Sequence, residues 1–376
     1  MKQKYLLVTL DFPPEPGGIQ NYLYNFCGVV GAQNIAVLKT RAFNKGQMLP
    51  EIFNVYESGF LKKNKGKLFK LNVLFLLWKF FKINPRDFRL IFCGNIYAGA
   101  VGFFAYLLLG INYIVIAHGG EIKKMHHWDV FKPIKMIIIK YAKGFVSNSQ
   151  YTKNLLVNLG IPADKILKIL PATNLKIPEE LKNDSMIEQR SIKVLKLLTI
   201  ARLVPTKGVD IVIRSLKIVK DRGFQFKYDI IGDGPQRSEL NQIVEDAGLQ
   251  NRVVFCGPIS EEKKTQYLAG CDLFILLSRE TNFSVEGFGI VFIEAGIFGK
   301  PVIGSTIGGV SEAIVHRSTG LLVSPENIEE VANTIISLIK NDDLRIKMGH
   351  ANRVRVEQEF RWEHRRPIIE RLLQQT

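Results

Sequence analysis

Ser284-Val285-Glu286-Gly287-Phe288-Gly289-Ile290-Val291-Phe292-Ile293-Glu294-Ala295 is the stretch on which the reading of this chain turns. It follows the apolar run Asp272-Leu273-Phe274-Ile275-Leu276-Leu277-Ser278, whose lack of alternation marks a strand buried on both faces. A strand, a glycine loop and a helix N-terminus therefore follow one another. Such a terminus presents unpaired N–H groups and the positive end of the helix dipole, a seat for a phosphate or diphosphate. Glu286 stands in the loop before the turn, and Glu294 about a turn and a half into the helix. Carboxylates repel phosphate, so this pair suits hydroxyl groups at the two ends of a ligand with a phosphate centre. The alternative is that the glutamates only complement the helix dipole. The rest of the chain has to decide between the two.

At 376 residues the chain exceeds what one hydrophobic core supports, so two domains are expected. With 47% hydrophobic and 23% charged residues it has the composition of an ordinary globular protein. Cys27, Cys93, Cys256 and Cys271 lie far apart in or beside apolar runs. They read as reduced core residues of a cytosolic protein, without a metal-type pair. Tyr5-Leu6-Leu7-Val8-Thr9-Leu10 reads as a first strand, too short for a secretory leader.

Charge is unevenly spread. Residues 1–185 hold 25 Lys and Arg against 11 Asp and Glu, whereas residues 186–376 hold 26 against 24. Lys62, Lys63, Lys65, Lys67 and Lys70 lead into Leu71-Asn72-Val73-Leu74-Phe75-Leu76-Leu77-Trp78-Lys79-Phe80-Phe81-Lys82, a basic, aromatic and helical segment. Its apolar run falls well short of the roughly 20 residues needed to span a bilayer. It suits a helix lying in an anionic interface, and equally a core helix with a solvated collar of lysines. Ile96 to Ala117 carries no charge, but Gly110-Ile111-Asn112 interrupts it. It reads as a buried helix, Ala98–Leu109, followed by a strand, Tyr113–Ala117.

The first half alternates strands at Tyr5–Asp11, Asn34–Lys39, Phe88–Cys93, Asn112–Ala117, Gly144–Ser147 and Lys165–Leu170 with helices at Ile19–Val30, Leu68–Lys82, Ala98–Leu109, Phe131–Ala142 and Gln150–Leu159. Residues 171–192, with Pro171, Pro178, Asn183, Asp184 and Ser185, lose the periodicity and read as a linker. A second alternation places strands at Val194–Ala201, Lys227–Ile231, Arg252–Cys256, Asp272–Leu277, Pro301–Ile303 and Gly320–Val323. The fold class expected is α/β, with two doubly wound parallel-sheet domains facing across a cleft, at 1–185 and 186–360. Their ligand belongs at the C-terminal strand ends.

At those ends stand chemically distinctive loops. Phe12-Pro13-Pro14-Glu15-Pro16-Gly17-Gly18 precedes a helix, and paired glycines let a ligand approach the backbone. His118-Gly119-Gly120-Glu121 follows the strand Asn112–Ala117. In the second half Arg202 ends a strand and Lys207-Gly208 opens the next helix. The two cations can clamp a diphosphate, Arg as a planar fork and Lys as a point charge, or simply form a solvated basic loop. Gly232-Asp233-Gly234-Pro235 fails the dinucleotide fingerprint, because Arg237 stands where the third glycine is needed.

Together these residues resemble the retaining glycosyltransferases of the GT-B fold, in the large family four of sugar-nucleotide-dependent enzymes. The likeness covers nearly the whole chain. It runs through Pro16-Gly17-Gly18, His118-Gly119, Ser147-Asn148-Ser149 with Thr152, and Ala201-Arg202-Leu203-Val204-Pro205-Thr206-Lys207-Gly208. It continues through Gly232-Asp233-Gly234-Pro235, the E-x7-E pattern from Glu286 to Glu294, and Phe360-Arg361-Trp362.

The resemblance implies roles. Arg202 and Lys207 would hold the donor diphosphate, and Glu294 the ribose hydroxyls. Glu286 would meet hydroxyls of the donor sugar, with the backbone of Phe288, Gly289 and Ile290 against the sugar and distal phosphate. His118 would line the sugar pocket, Gly17 and Gly18 would admit acceptor and diphosphate, Gly234 would line the site, and the base would rest near Pro258 and Ile259. The segment 361–376 would cross back to the first domain. No D-x-D pattern occurs, and the family's leaving-group stabilisation by basic side chains implies no metal and no other cofactor.

A UDP-sugar such as UDP-glucose is the favoured donor, with GDP-mannose next. The acceptor domain's basic, aromatic surface implies a saccharide or lipid-linked acceptor of the cell envelope. It also implies a cytoplasmic enzyme on an anionic membrane surface. Other classes fare worse. A nicotinamide dehydrogenase needs the intact glycine fingerprint. A nucleic-acid binder is disfavoured because the basic excess follows an apolar aromatic helix. A catalytically inactive GT-B scaffold would be betrayed by loss of Arg202, Lys207 or Glu294, and all three are present.

Overall fold

Strands rich in Val, Ile and Leu, each followed by a helix, pair in parallel because each βα crossover returns the chain to the same sheet edge. A computed structural model of the chain describes residues 4–15, 17–41, 52–59, 68–126, 129–179, 194–282 and 284–375. Pro16, Lys62, Lys63, Lys65, Lys67 and residues 180–192 of the expected linker lie outside them.

The first sheet comprises β1 (Tyr5–Thr9), β2 (Ile35–Thr40), β3 (Asn54–Ser58), β4 (Leu90–Cys93), β5 (Asn112–Ala117), β6 (Gly144–Ser147) and β7 (Ile166–Lys168). Its order is β3-β2-β1-β4-β5-β6-β7, parallel throughout. Its helices are α1 (Gly18–Val30), α2 (Leu68–Phe80), α3 (Gly99–Leu109), α4 (Gly120–His126), α5 (Lys132–Tyr141) and α6 (Gln150–Val157). Leu6, Val8, Ile91, Val115 and Phe145 fill its core.

The second sheet comprises β8 (Leu195–Ile200), β9 (Phe226–Ile231), β10 (Val253–Gly257), β11 (Leu273–Leu276), β12 (Val302–Ser305) and β13 (Gly320–Val323). Its order is β10-β9-β8-β11-β12-β13, again parallel. Helices α7 (Val209–Asp221), α8 (Arg237–Asp246), α9 (Glu261–Gly270), α10 (Ile290–Ile297), α11 (Val310–Ala313), α12 (Ile328–Lys340) and α13 (Asp342–Glu359) accompany it. α14 (Arg366–Gln374) closes the chain.

By contact the chain divides into two units, residues 1–171 with 282–287 and 362–376, and residues 172–281 with 288–361. The break at 171/172 lies earlier than the expected 185. Thr173 pairs with Arg361, and Arg361 donates to the Leu175 carbonyl at 2.6 Å, which ties the start of the expected linker to the second unit. A further departure comes from the second sheet's own chain, because Asn282–Gly287 belongs to the first unit. The C-terminal segment from Trp362 lies in the first unit too, the side to which the resemblance assigns it. The Trp362 ring meets Tyr22 of α1 at 5.3 Å, and Arg365 Nε donates to the Leu170 carbonyl at 2.9 Å.

Three elements differ from the sequence expectation. β3 escaped notice because Asn54-Val55-Tyr56-Glu57-Ser58 is a half-exposed edge strand without an apolar run. α4 escaped because its two leading glycines read as open loop. α3 was expected to be buried, yet only Gly99, Val101, Gly102 and Ala105 are fully buried, with Ala100, Phe103 and Leu109 packed partly against the core. Its sequence has no polar residue with which to mark the opposite face.

Candidate active site

In the second unit chain order reverses between β8 and β11, the switch point at which doubly wound sheets bind ligands. Arg202 follows β8 and is exposed. Ala201 N–H donates to the Ile231 carbonyl at 3.0 Å, and Leu203 N–H to that of Asp233 at 2.9 Å. The Gly232-Asp233-Gly234 turn therefore runs flat against Ala201–Leu203. A Cβ would lie 2.0 Å from the Ala201 carbonyl oxygen at Gly232 and 2.2 Å from that of Leu203 at Gly234. Close backbone packing, not a dinucleotide, explains these glycines. Gly232 N–H donates to the Gly257 carbonyl at 2.9 Å, which brings Pro258, exposed, and Ile259, half-buried, to the same edge.

Lys207 sits in the short 3₁₀ turn Pro205–Lys207, half-buried. Arg279, just past β11, secures that turn. Its N–H donates to the Thr206 carbonyl at 2.9 Å, and its guanidinium meets the Asp210 carboxylate at the start of α7. Gly208 has φ 59, and a Cβ there would lie 1.8 Å from the Leu277 carbonyl oxygen. Lys207 is thus pinned to the end of β11.

After β11 the helix α10 begins behind Gly289, which has φ 88 and, as a glycine, no side chain of its own to cap the first turn. Its leading N–H groups keep the anion-seating character read from the sequence. Phe288 is buried, 5.6 Å from the Phe360 ring, and Ile290 is half-buried. Glu294 is buried and accepts from Lys264 Nζ of α9 at 3.1 Å, while Lys264 also meets Glu261 at 2.6 Å. Burial alone would depress the Lys264 pKa, but the Glu294 and Glu261 carboxylates overcome it and hold it above the ordinary lysine value. Sequence reasoning missed Lys264. In Glu261-Glu262-Lys263-Lys264 it is indistinguishable from a solvated helix face.

The first unit carries the other candidates. Gly17 caps α1 with φ 154 and ψ 161, a conformation glycine alone reaches easily, and Gly18 follows it, both exposed. His118 is buried at the end of β5, edge-on to Tyr22 at 5.6 Å. Its Nε2 lies 3.0 Å from the Gly94 carbonyl. A carbonyl only accepts, so Nε2 bears a proton, and in the neutral imidazole Nδ1 is then the acceptor. His118 N–H donates to Glu121 Oε1 at 2.9 Å. A Cβ at Gly287 would lie 2.6 Å from the His118 carbonyl oxygen and 2.7 Å from Asn148 Nδ2. Asn148 Oδ1 in turn accepts from the Thr152 hydroxyl at 2.8 Å. Ser284–Gly287, with Glu286 half-buried, is thereby fitted against the His118 loop. The E-x7-E pattern is divided, with Glu286 in the first unit and Glu294 in the second.

With this geometry in hand, likeness to known proteins is decisive. Residues 16–176 match the family model described as Glycosyltransferase Family 4, and residues 183–355 the one described as Glycosyl transferases group 1. The chain belongs to glycosyltransferase family 4. It is a hexosyltransferase of the GT-B fold. The GDP-mannose-dependent alpha-(1-6)-phosphatidylinositol monomannoside mannosyltransferase of Mycobacterium tuberculosis is 28% identical over 96% of this transferase and 95% of its own length. The amylovoran biosynthesis glycosyltransferase of Erwinia amylovora is 27% identical over 66% of this chain and 60% of its own. Among solved structures, Anabaena HepE in complex with UDP-glucose superposes with a TM-score of 0.80 at 22% identity, over 99% of this chain and 100% of that one.

Proposed function

We propose that this transferase moves a hexose, with retention, from a nucleotide-sugar to a hydroxyl of a cell-envelope glycolipid or polysaccharide precursor. The observation that carries the reading is the second unit's sheet edge. There Arg202, the pinned Lys207, the glycine-led start of α10 and the Lys264-held Glu294 are built into one switch point. For the donor we place GDP-mannose ahead of UDP-glucose. The whole-length mycobacterial relative named above is GDP-mannose-dependent, whereas the UDP-glucose-bound neighbour supports the second donor through fold alone.

In this mechanism the bond between the anomeric carbon and the diphosphate oxygen breaks, and the electron pair leaves with the nucleoside diphosphate. Arg202, Lys207 and the α10 N-terminus meet the charge that develops on the phosphate oxygens, already oriented before it appears. Glu294 accepts from ribose hydroxyls, its carboxylate fixed by Lys264. His118 Nδ1 and Glu286 accept from sugar hydroxyls. The acceptor oxygen bonds to the anomeric carbon on the face the leaving group vacates, and its proton passes to the departing phosphate. No step uses a metal ion.

The test is transfer of labelled sugar by the purified protein from GDP-mannose, UDP-glucose and other common donors into an envelope lipid and saccharide extract, with and without EDTA. The expected result is an α-linked product from GDP-mannose that persists in EDTA. An α-linked glucosylated product instead would restore the order of donors read from the sequence. Transfer that vanishes in EDTA would overturn the metal-free mechanism, and no transfer from any donor would overturn the reading itself.

A further inference from the structure

The first unit has a surface unlike the rest of the chain. α3 packs between α2 and α5, and the Tyr141 ring of α5 joins them, 5.5 Å from Phe103 and 5.9 Å from Tyr106. Each helix buries one apolar stripe and turns a second to solvent. On α2 the core takes Leu76 and Phe80, while Leu74 and Trp78 are 59% and 61% exposed. On α3 Val101 and Ala105 are buried, while Leu107 and Leu108 are each 60% exposed. On α5 Ile138 is buried and Ile134 is 56% exposed. The outward residues recur at helical spacing, so they form stripes rather than scatter, and adjacent stripes make one face. Single exposed apolar residues need no explanation, but a contiguous field of them does.

The charges around this face say what covers it. Lys79, Lys82, Lys132, Lys140 and Lys143 of α2, α5 and their ends are half-buried or exposed, and residues 68–82, 99–109 and 130–143 hold no Asp or Glu, while Lys135 is buried against Asp129 at 2.7 Å. Lys82 lies over the Trp78 ring at 5.8 Å, and Lys140 over Tyr141 at 5.6 Å. Lys132 and Lys143 are exposed. Protein interfaces are depleted in lysine, and a second copy would set lysine against lysine. Anionic lipid headgroups attract lysines, while Trp, Tyr and Leu settle at the headgroup and acyl boundary. Among the described residues no helix is long and apolar enough to cross a membrane, so the contact is with its surface.

We propose that the outward face of α2, α3 and α5 docks on the surface of an anionic lipid bilayer, with Trp78, Leu107, Leu108 and Ile134 entering the interface and the lysines on its headgroups. The proposal stands independently of donor and acceptor.

The experiment is co-sedimentation of the full chain with vesicles of phosphatidylcholine alone and of phosphatidylcholine with phosphatidylglycerol, at low and high salt. Alongside run W78Q/L107Q/L108Q, which alters only exposed side chains, and the charge variant K82Q/K132Q/K140Q/K143Q. Wild type is expected to bind the anionic vesicles and to release at high salt. Each variant is expected to bind at least tenfold more weakly, with an unfolding midpoint within a degree or so of wild type. Three results would overturn the proposal: absence of binding to both vesicles by folded wild type, equal binding to neutral vesicles, or unchanged binding by the apolar variant. A concentration-dependent dimer in solution that W78Q/L107Q/L108Q dissociates would assign the face to a second copy instead.

Discussion

The switch-point edge of the second unit and the outward face of α2, α3 and α5 in the first depart from an ordinary protein surface in opposite ways. The edge is built from backbone. Carbonyl oxygens lie where side chains of Gly208, Gly232 and Gly234 would have to be, and Lys264 with Glu294 and Arg279 with Asp210 are anchored in pairs. The face is built from side chains, and its helices keep their cores whatever residues point outward. One region should therefore fail on the smallest substitution, while the other should tolerate large ones and lose only its partner.

Gly208→Ala should break the comparison hardest. It forces a left-handed conformation on alanine and sets its Cβ against the Leu277 carbonyl, costing about 2 kcal/mol or more. Calorimetry should record a midpoint several degrees lower, and nucleotide binding should be lost. If G208A unfolds and binds like wild type, the backbone account of the edge is wrong.

Next is Lys207→Ala, where steady-state kinetics should show kcat/KM falling about 10²-fold, the loss of one preorganised cation, with the fold intact. Wild-type turnover would remove Lys207 from the site.

Lys264→Met follows. It strands the Glu294 carboxylate in the interior and should cost about 3 kcal/mol. Pairing it with Glu294→Gln should recover part of that in a double-mutant cycle. Full additivity of the two changes would show that the pair is not coupled.

The smallest effect expected is none. The Lys264 pKa is raised on folding, so its stabilising contribution is complete below the ordinary value of 10.5 and fades only as pH climbs through the higher folded value. The difference in unfolding midpoint between wild type and the K264M/E294Q pair, which leaves no stranded carboxylate, should stay flat from about pH 6 to pH 9. A slope in that window would mean that the lysine is not held charged by its two glutamates.

The same contrast explains what the sequence disclosed. Strand-end glycines, Arg202, Lys207 and the helix carrying Glu294 were legible because each is a local signal, a residue type at the end of an apolar run. Lys264 and Arg279 were not, because their significance comes from partners 30 and 69 residues away, Glu294 and Asp210. The excursion of Asn282–Gly287 into the first unit was equally hidden, since nothing local says where a loop will pack. β3 was lost for want of apolar residues, and the exposed side of α3 for want of polar ones. Periodicity reports a contrast between two faces, and α3 has none.

Thermal unfolding of the purified protein with GDP, UDP and ADP, in wild type and in K207A, tests the central claim most directly. A nucleoside diphosphate at 100 times its Kd stabilises by about 2.7 kcal/mol, a rise of a few degrees or less in a chain of this size. The result expected is a rise with GDP in wild type, undiminished by EDTA, that shrinks or disappears in K207A. A rise with UDP alone would keep the site and change the donor. No rise with any of the three, or the same rise in K207A, would contradict the assignment of the diphosphate to the second unit's switch point.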